Sequence, residues 1–201
     1  ENGIVYLPEI VDPIFSNIAS RYTHVVTPNG DLIPFLIQDD FSVAQILHAR
    51  KVLESLLTNN PGNGWGNDKT NMTNAIGASN AILFLLNDED EYENPDLWAL
   101  MDAGVDGQDL LAMEVFPEGS PQYMSSSERD ASYEEILHFV HGFGIQLAIP
   151  AMQNAIISVM NNAISNNLYN PLNDLPEEDY DEEYLAMGLE CYFGLWAHDP
   201  N

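Results

Sequence analysis

The run Ser132-Tyr133-Glu134-Glu135-Ile136-Leu137-His138-Phe139-Val140-His141-Gly142 places one carboxylate and two imidazoles at spacings of four and three residues. At 100° per residue, Glu134, His138 and His141 fall within about 60° of one another on a helix. Ile136, Phe139, Val140 and Phe143 occupy the opposite side, so the helix has an apolar back and a front that can bind. Side chains at i and i+4 can converge on one ion, and imidazole and carboxylate both ligate zinc. Glu135, about 100° round from Glu134, could reach an attacking water without being a ligand. A second stretch, Asp181-Glu182-Glu183-Tyr184-Leu185-Ala186-Met187-Gly188-Leu189-Glu190, reads as another helix. Its Glu183 and Glu190 share one face, while Leu185, Leu189, Tyr192 and Trp196 line the other. The chemistry that suits this combination is metal-assisted hydrolysis.

Glu134-Glu135-x-x-His138 resembles the His-Glu-x-x-His helix of the zincin metallopeptidases, with Glu in place of the first His. The later acidic-aromatic helix is similar to the one that supplies the third ligand in the glutamate-using, lethal-factor-like branch. The resemblance implies a Zn²⁺ site in which Glu134 and His138 are ligands, Glu183 is the third and Glu135 is the general base for peptide-bond hydrolysis. The Glu at 134 departs from the family pattern. Two carboxylates would neutralise the ion's double charge and weaken its pull on a water. With His141 in place of one carboxylate, the set becomes His, His and Glu, a known catalytic zinc combination. The sequence leaves both sets open, and with them the place of Glu190.

Other residues offer less. Asn87-Asp88-Glu89-Asp90-Glu91 and Asp102-x-Gly104-x-Asp106-Gly107-x-Asp109 invite a Ca²⁺ reading, yet the second departs from an EF-hand loop at its third and last positions. Tyr133 and Tyr184 could stabilise an oxyanion, but core packing is the plainer expectation for both. His24, His48 and His198 have no ligand-like partner nearby in sequence. Cys191, the single cysteine, lies among Leu189, Tyr192 and Phe193 and reads as a buried thiol. There is no Gly-x-Ser-x-Gly elbow and no phosphate-loop lysine after Gly62, Gly64 and Gly66.

The 201 residues carry 32 Asp and Glu against 5 Lys and Arg, a net charge of −27. Such a surface repels phosphate, which argues against nucleic acid and anionic membranes and for metal ions or cationic partners. The expected partner is a peptide or protein substrate, with cationic character favoured. At 45% apolar residues the chain is no disordered acidic tail. Its acid is also unevenly placed, with none at all between positions 136 and 173. That uncharged stretch reads as the buried scaffold behind the site. A start at Glu1 and the sequon Asn71-Met72-Thr73 suggest a secreted, extracellular protein. Two rivals to the peptidase remain: a non-catalytic extracellular structural or assembly protein with a degenerate zincin-like fold, and a calcium-binding acidic module.

The elements that must position these groups suggest one α+β domain over 1–201. Residues 1–41 read mainly as strands, including Ile4–Leu7, Ile10-Val11 and a hairpin of His24–Thr27 with Leu32–Ile37 around Asn29-Gly30. Pro34 predicts an edge strand or a bulge. Residues 42–131 read as helices over 42–57 and 73–86, then acidic loops with a short helix near 97–101. Residues 132–201 read as a three-helix metal-site region: 132–147, 151–168 and 180–197. Ser132 and Glu135 have capping-box spacing at the start of the first.

Overall fold

The computed structural model describes residues 2–8, 12–123, 130–172 and 175–195. It is a mixed α+β structure built on a five-stranded sheet in the order β1-β2-β3-β4-β5. These strands are β1 (Val5–Tyr6), β2 (Arg21–Val26), β3 (Leu32–Ile37), β4 (Ile82–Leu86) and β5 (Gly107–Leu111). The first three pair antiparallel and the last two join in parallel. The β2–β3 hairpin forms at the expected place, with Gly30 at φ +95° in its turn. Pro34 does not mark an edge, because β3 is the middle strand. The ladder from β3 to β4 begins one residue later, at Phe35, so the missing N–H interrupts nothing there.

The helices are α1 (Pro13–Ser16), α2 (Val43–Leu57), α3 (Thr70–Ser79), α4 (Pro95–Asp102), α5 (Ser132–Val140), α6 (Gln146–Ala148), α7 (Pro150–Ser165) and α8 (Tyr180–Phe193). A π turn over His141–Ile145 joins α5 to α6. Helix α2 begins as read, with Ser42 and Gln45 completing a capping box. The helix expected over 73–86 is instead two elements. It ends at Ser79, Asn80 turns the chain at φ +58°, and Ile82–Leu86 form β4. All five residues of β4 are buried, because both faces of the sheet are covered. Leu83 and Leu85 join the core with α2, α3 and α5, while Ile82, Phe84 and Leu86 join the one with α4. A strand buried on both faces loses its alternation and reads like a buried helix.

The uncharged stretch is only partly scaffold. Helix α5 carries Ile136, Leu137, Phe139 and Val140 into the core, each worth about 1.5–3 kcal/mol on burial. Helix α7 buries just Ile156, Met160 and Ala163, and its asparagines face solvent, so it lies at the periphery. Absence of charge there reflects neutral polar side chains, not burial. No single helix among the described residues is long and apolar enough to cross a membrane. The Ile10-Val11 run, Trp196 and His198 lie outside the described residues.

Candidate metal centre

Helix α5 is held over β5 and between α2 and α8, and its first turn is fastened by one side chain. Asp130 accepts hydrogen bonds from the Ser132 and Phe116 backbone N–H groups, at 3.2 and 3.5 Å. The same carboxylate lies 2.6 Å from His48 Nε2 on α2. Ala131, not Ser132, is the N-cap, and the expected capping box does not form. The Ser132 hydroxyl is also 3.1 Å from His48 Nε2. This Asp-His-Ser contact is not a hydrolytic triad. Both partners share one ring nitrogen and Ser132 is fully buried, whereas a triad needs opposite nitrogens and an accessible nucleophile.

Freed from capping, Glu135 turns toward β5, where Gln108 Nε2 donates to its Oε2 at 2.8 Å. One turn on, His138 is buried between two carboxylates. Its Nδ1 lies 3.8 Å from Glu135 Oε2 and its Nε2 lies 3.9 Å from Glu183 Oε1 of α8. Ligand atoms of Glu134, His138 and Glu183 all lie within 4.8 Å of one another, the single such group among the described residues. His138 Nε2 is buried and has no hydrogen-bond partner. A buried polar atom left in this way is costly unless something fills the gap. At 3.9 Å from a carboxylate it is too far for a hydrogen bond. Two atoms on one tetrahedral zinc, with bonds of 2.0–2.2 Å, sit roughly 3.3–3.5 Å apart. The three residues could hold a metal ion once His138 and Glu183 close by about half an ångström and the widest pair of the group, at most 4.8 Å apart, by up to about 1.4 Å.

Electrostatics agree with a site assembled for positive charge. Burial pushes the Glu135 carboxyl up to about 8, helped by the charges of Glu134, Glu114 and Asp109 and opposed by the Gln108 hydrogen bond. Glu183 is raised as well, by burial and then by Glu134, Glu182 and Asp179, against the pull of His138. Carboxylates that raise one another in this way would be relieved by a divalent cation.

His141 stands apart from the group. It is fully buried, with Nε2 2.8 Å from Gln153 Oε1 and 3.4 Å from Asp181 Oδ2. Its Nδ1 lies 3.7 Å from Glu182 Oε2, beyond hydrogen-bond reach, and like His138 Nε2 is buried without a hydrogen-bond partner. Of the two ligand sets, the structure gathers Glu134, His138 and Glu183. Glu190 is buried beyond the group. Tyr184 packs edge-on against Tyr169, in a small core with Met160, as its plainer expectation had it. Tyr133 packs edge-on to His48 and lines an apolar cavity of about 430 Å³ beside Glu134, with Leu56, Leu137, Ala186, Leu189 and Phe193. Cys191 is exposed, not buried, because it falls on the outer side of α8. The acidic residues read as a calcium loop are divided between elements. Asp102 closes α4 and Asp109 pairs within β5, where its carboxylate accepts from Tyr92. Sequence reasoning missed Gln108, Gln153 and Asp181, since a neutral amide or one acid in an acidic run carries no signal of its own.

The chain matches no protein-family model, no curated protein and no solved structure.

Proposed function

We propose that this protein is a zinc-dependent peptidase whose ion is held by Glu134, His138 and Glu183, with Glu135 as general base. The observation that carries the reading is the buried, partnerless Nε2 of His138 facing Glu183, with Glu134 in the same group. Zinc held in such a site would acidify a water and polarise a carbonyl. Glu135 would supply the proton acceptor: burial raises its carboxyl in the metal-free chain, and the charge of a bound cation would pull it back toward the ionised form a base needs. Gln108 holds that carboxyl by one oxygen and so fixes its direction. The apolar cavity beside Glu134 offers room for a bulky apolar side chain of the substrate. The overall charge of −27 favours a cationic peptide around it.

The two-carboxylate donor set favours a second reading, a metal held for structure, because it neutralises the ion and leaves it a weaker Lewis acid. One experiment separates the readings. Metal content is measured after dialysis for wild type and for His138→Ala, and hydrolysis of a peptide library for wild type and Glu135→Gln. Stoichiometric zinc lost in His138→Ala, with cleavage abolished in a folded Glu135→Gln, supports the peptidase. Zinc without cleavage supports the structural ion, and no bound metal in wild type refutes both.

A further inference from the structure

The residue that the sequence offered as an alternative ligand has a different place in the fold. His141 opens the π turn after α5, and the widened turn lies against α3, where Gly144 leaves no space for a side chain. A Cβ there would come within 2.8 Å of Met72. From this position the fully buried His141 ring reaches α7 through Gln153 and the first turn of α8 through Asp181 and Glu182. Gln153 Nε2 donates in turn to Asp181 Oδ2. Asp181 is itself buried. Its carboxylate and that of Glu182 lie on opposite sides of one imidazole, two residues and one residue before Glu183 respectively.

We infer that His141 is a positioning residue: it clamps the first turn of α8 through Gln153 and Asp181, and thereby sets where Glu183 stands opposite His138. The inference rests on the metal-site reading for its consequence, though the clamp is a property of the chain alone. The His141–Asp181 contact joins the turn that continues α5 to α8, and the His138–Glu183 contact joins α5 itself to α8. The first lies about one turn on along α5 and half a turn back along α8. A shift of α8 that breaks the first must change the second. Residues that orient ligands in this way typically govern metal affinity by 10–100-fold.

The test uses His141→Leu, His141→Gln and, as a control, Leu100→Ala, a fully buried core change on the far face of the sheet. Zinc dissociation constants are measured by competition with a chelator, well below each variant's melting temperature. Amide hydrogen exchange over 180–186 is followed in metal-free protein. The expected results for His141→Leu are a 10–100-fold weaker zinc constant and at least tenfold faster exchange at the start of α8. His141→Gln, which can still donate to Asp181, recovers part of both. Leu100→Ala lowers the melting temperature and changes neither. If wild type binds no zinc but the exchange pattern holds, the clamp stands and the metal-site reading falls. If exchange at α8 in His141→Leu matches wild type, the clamp is overturned, whatever the metal does. Should His141→Leu fail to fold, Asp181→Ala is read by the same two measurements.

Discussion

Replacing Glu135 with Gln should stabilise the metal-free protein at pH 8 and change it little at pH 5. In the folded chain the carboxyl is raised from 4.5 to about 8, chiefly by burial and then by Glu134. Between those values the native state keeps a proton that the unfolded chain has released. Stability therefore falls as pH rises through this window, and the whole contribution is present only below about pH 4.5. At 1.36 kcal/mol per pKa unit, the full effect is close to 5 kcal/mol. Solvent reaches the side chain, which is 23% exposed, and screening trims the figure to roughly 3 kcal/mol. Gln keeps the shape and can still accept from the Gln108 amide. It removes only the ionisation. The assay is urea unfolding in EDTA at half-unit steps from pH 5 to 9, read as wild type minus variant so that the other 31 acidic residues cancel. A difference that grows by about 2 kcal/mol from pH 5 to pH 8, with the variant the more stable, is expected. Parallel curves would show that Glu135 ionises as easily folded as unfolded, and the electrostatic account of the site would fail.

Gly107→Ala should destabilise the protein by about 3 kcal/mol or more, because the added Cβ would lie 2.0 Å from the Ile82 carbonyl oxygen and 2.7 Å from the Phe84 ring. Urea midpoints within error of wild type would mean that β4 and β5 are not paired in this register. Cys191, exposed on α8, should react with a thiol-specific disulfide reagent in the native protein at the rate of a small free thiol. Reaction only after unfolding would return it to the core.

What could be read beforehand divides by the kind of signal each segment carries. The hairpin around Asn29-Gly30 was legible because its turn demands positive φ at fixed positions, and α2 because Ser42 and an amphipathic period mark its start. Strand β4 was not, since an apolar run covered on both faces has no period to report. Strand β5 was hidden for the opposite reason. Gly107, Gln108 and Asp109 look like a polar loop, yet they form an edge strand whose neighbouring side chains serve opposite faces. Gln108 reaches Glu135 on one and Asp109 reaches Tyr92 on the other. Ser132 and Glu135 had the spacing of a capping box, but Ala131 is the N-cap with no side-chain bond, Asp130 accepts from the Ser132 N–H, and Glu135 is left to the site.

The two histidines of α5 show where helical geometry alone stops. Three residues apart, they leave the helix in similar directions, and a helical wheel treats them as equivalent candidates for one ion. The deciding facts lie on α8, which crosses close by and presents Asp181, Glu182 and Glu183 in succession. Consecutive residues on a helix point about 100° apart. Only one of the three can face His138, and in this structure it is Glu183, with Asp181 and Glu182 left to His141. A single run of acid thus serves both imidazoles: His138 Nε2 faces Glu183 across 3.9 Å without a hydrogen bond, while His141 Nε2 is held by Gln153 and its Nδ1 stands 3.7 Å from Glu182. Both rings keep one buried nitrogen without a hydrogen bond, and His138 differs in that Glu134 and Glu183 both offer ligand atoms within 4.8 Å of its own. That difference depends on how α8 is rotated against α5, a long-range packing outcome that no spacing within either helix records.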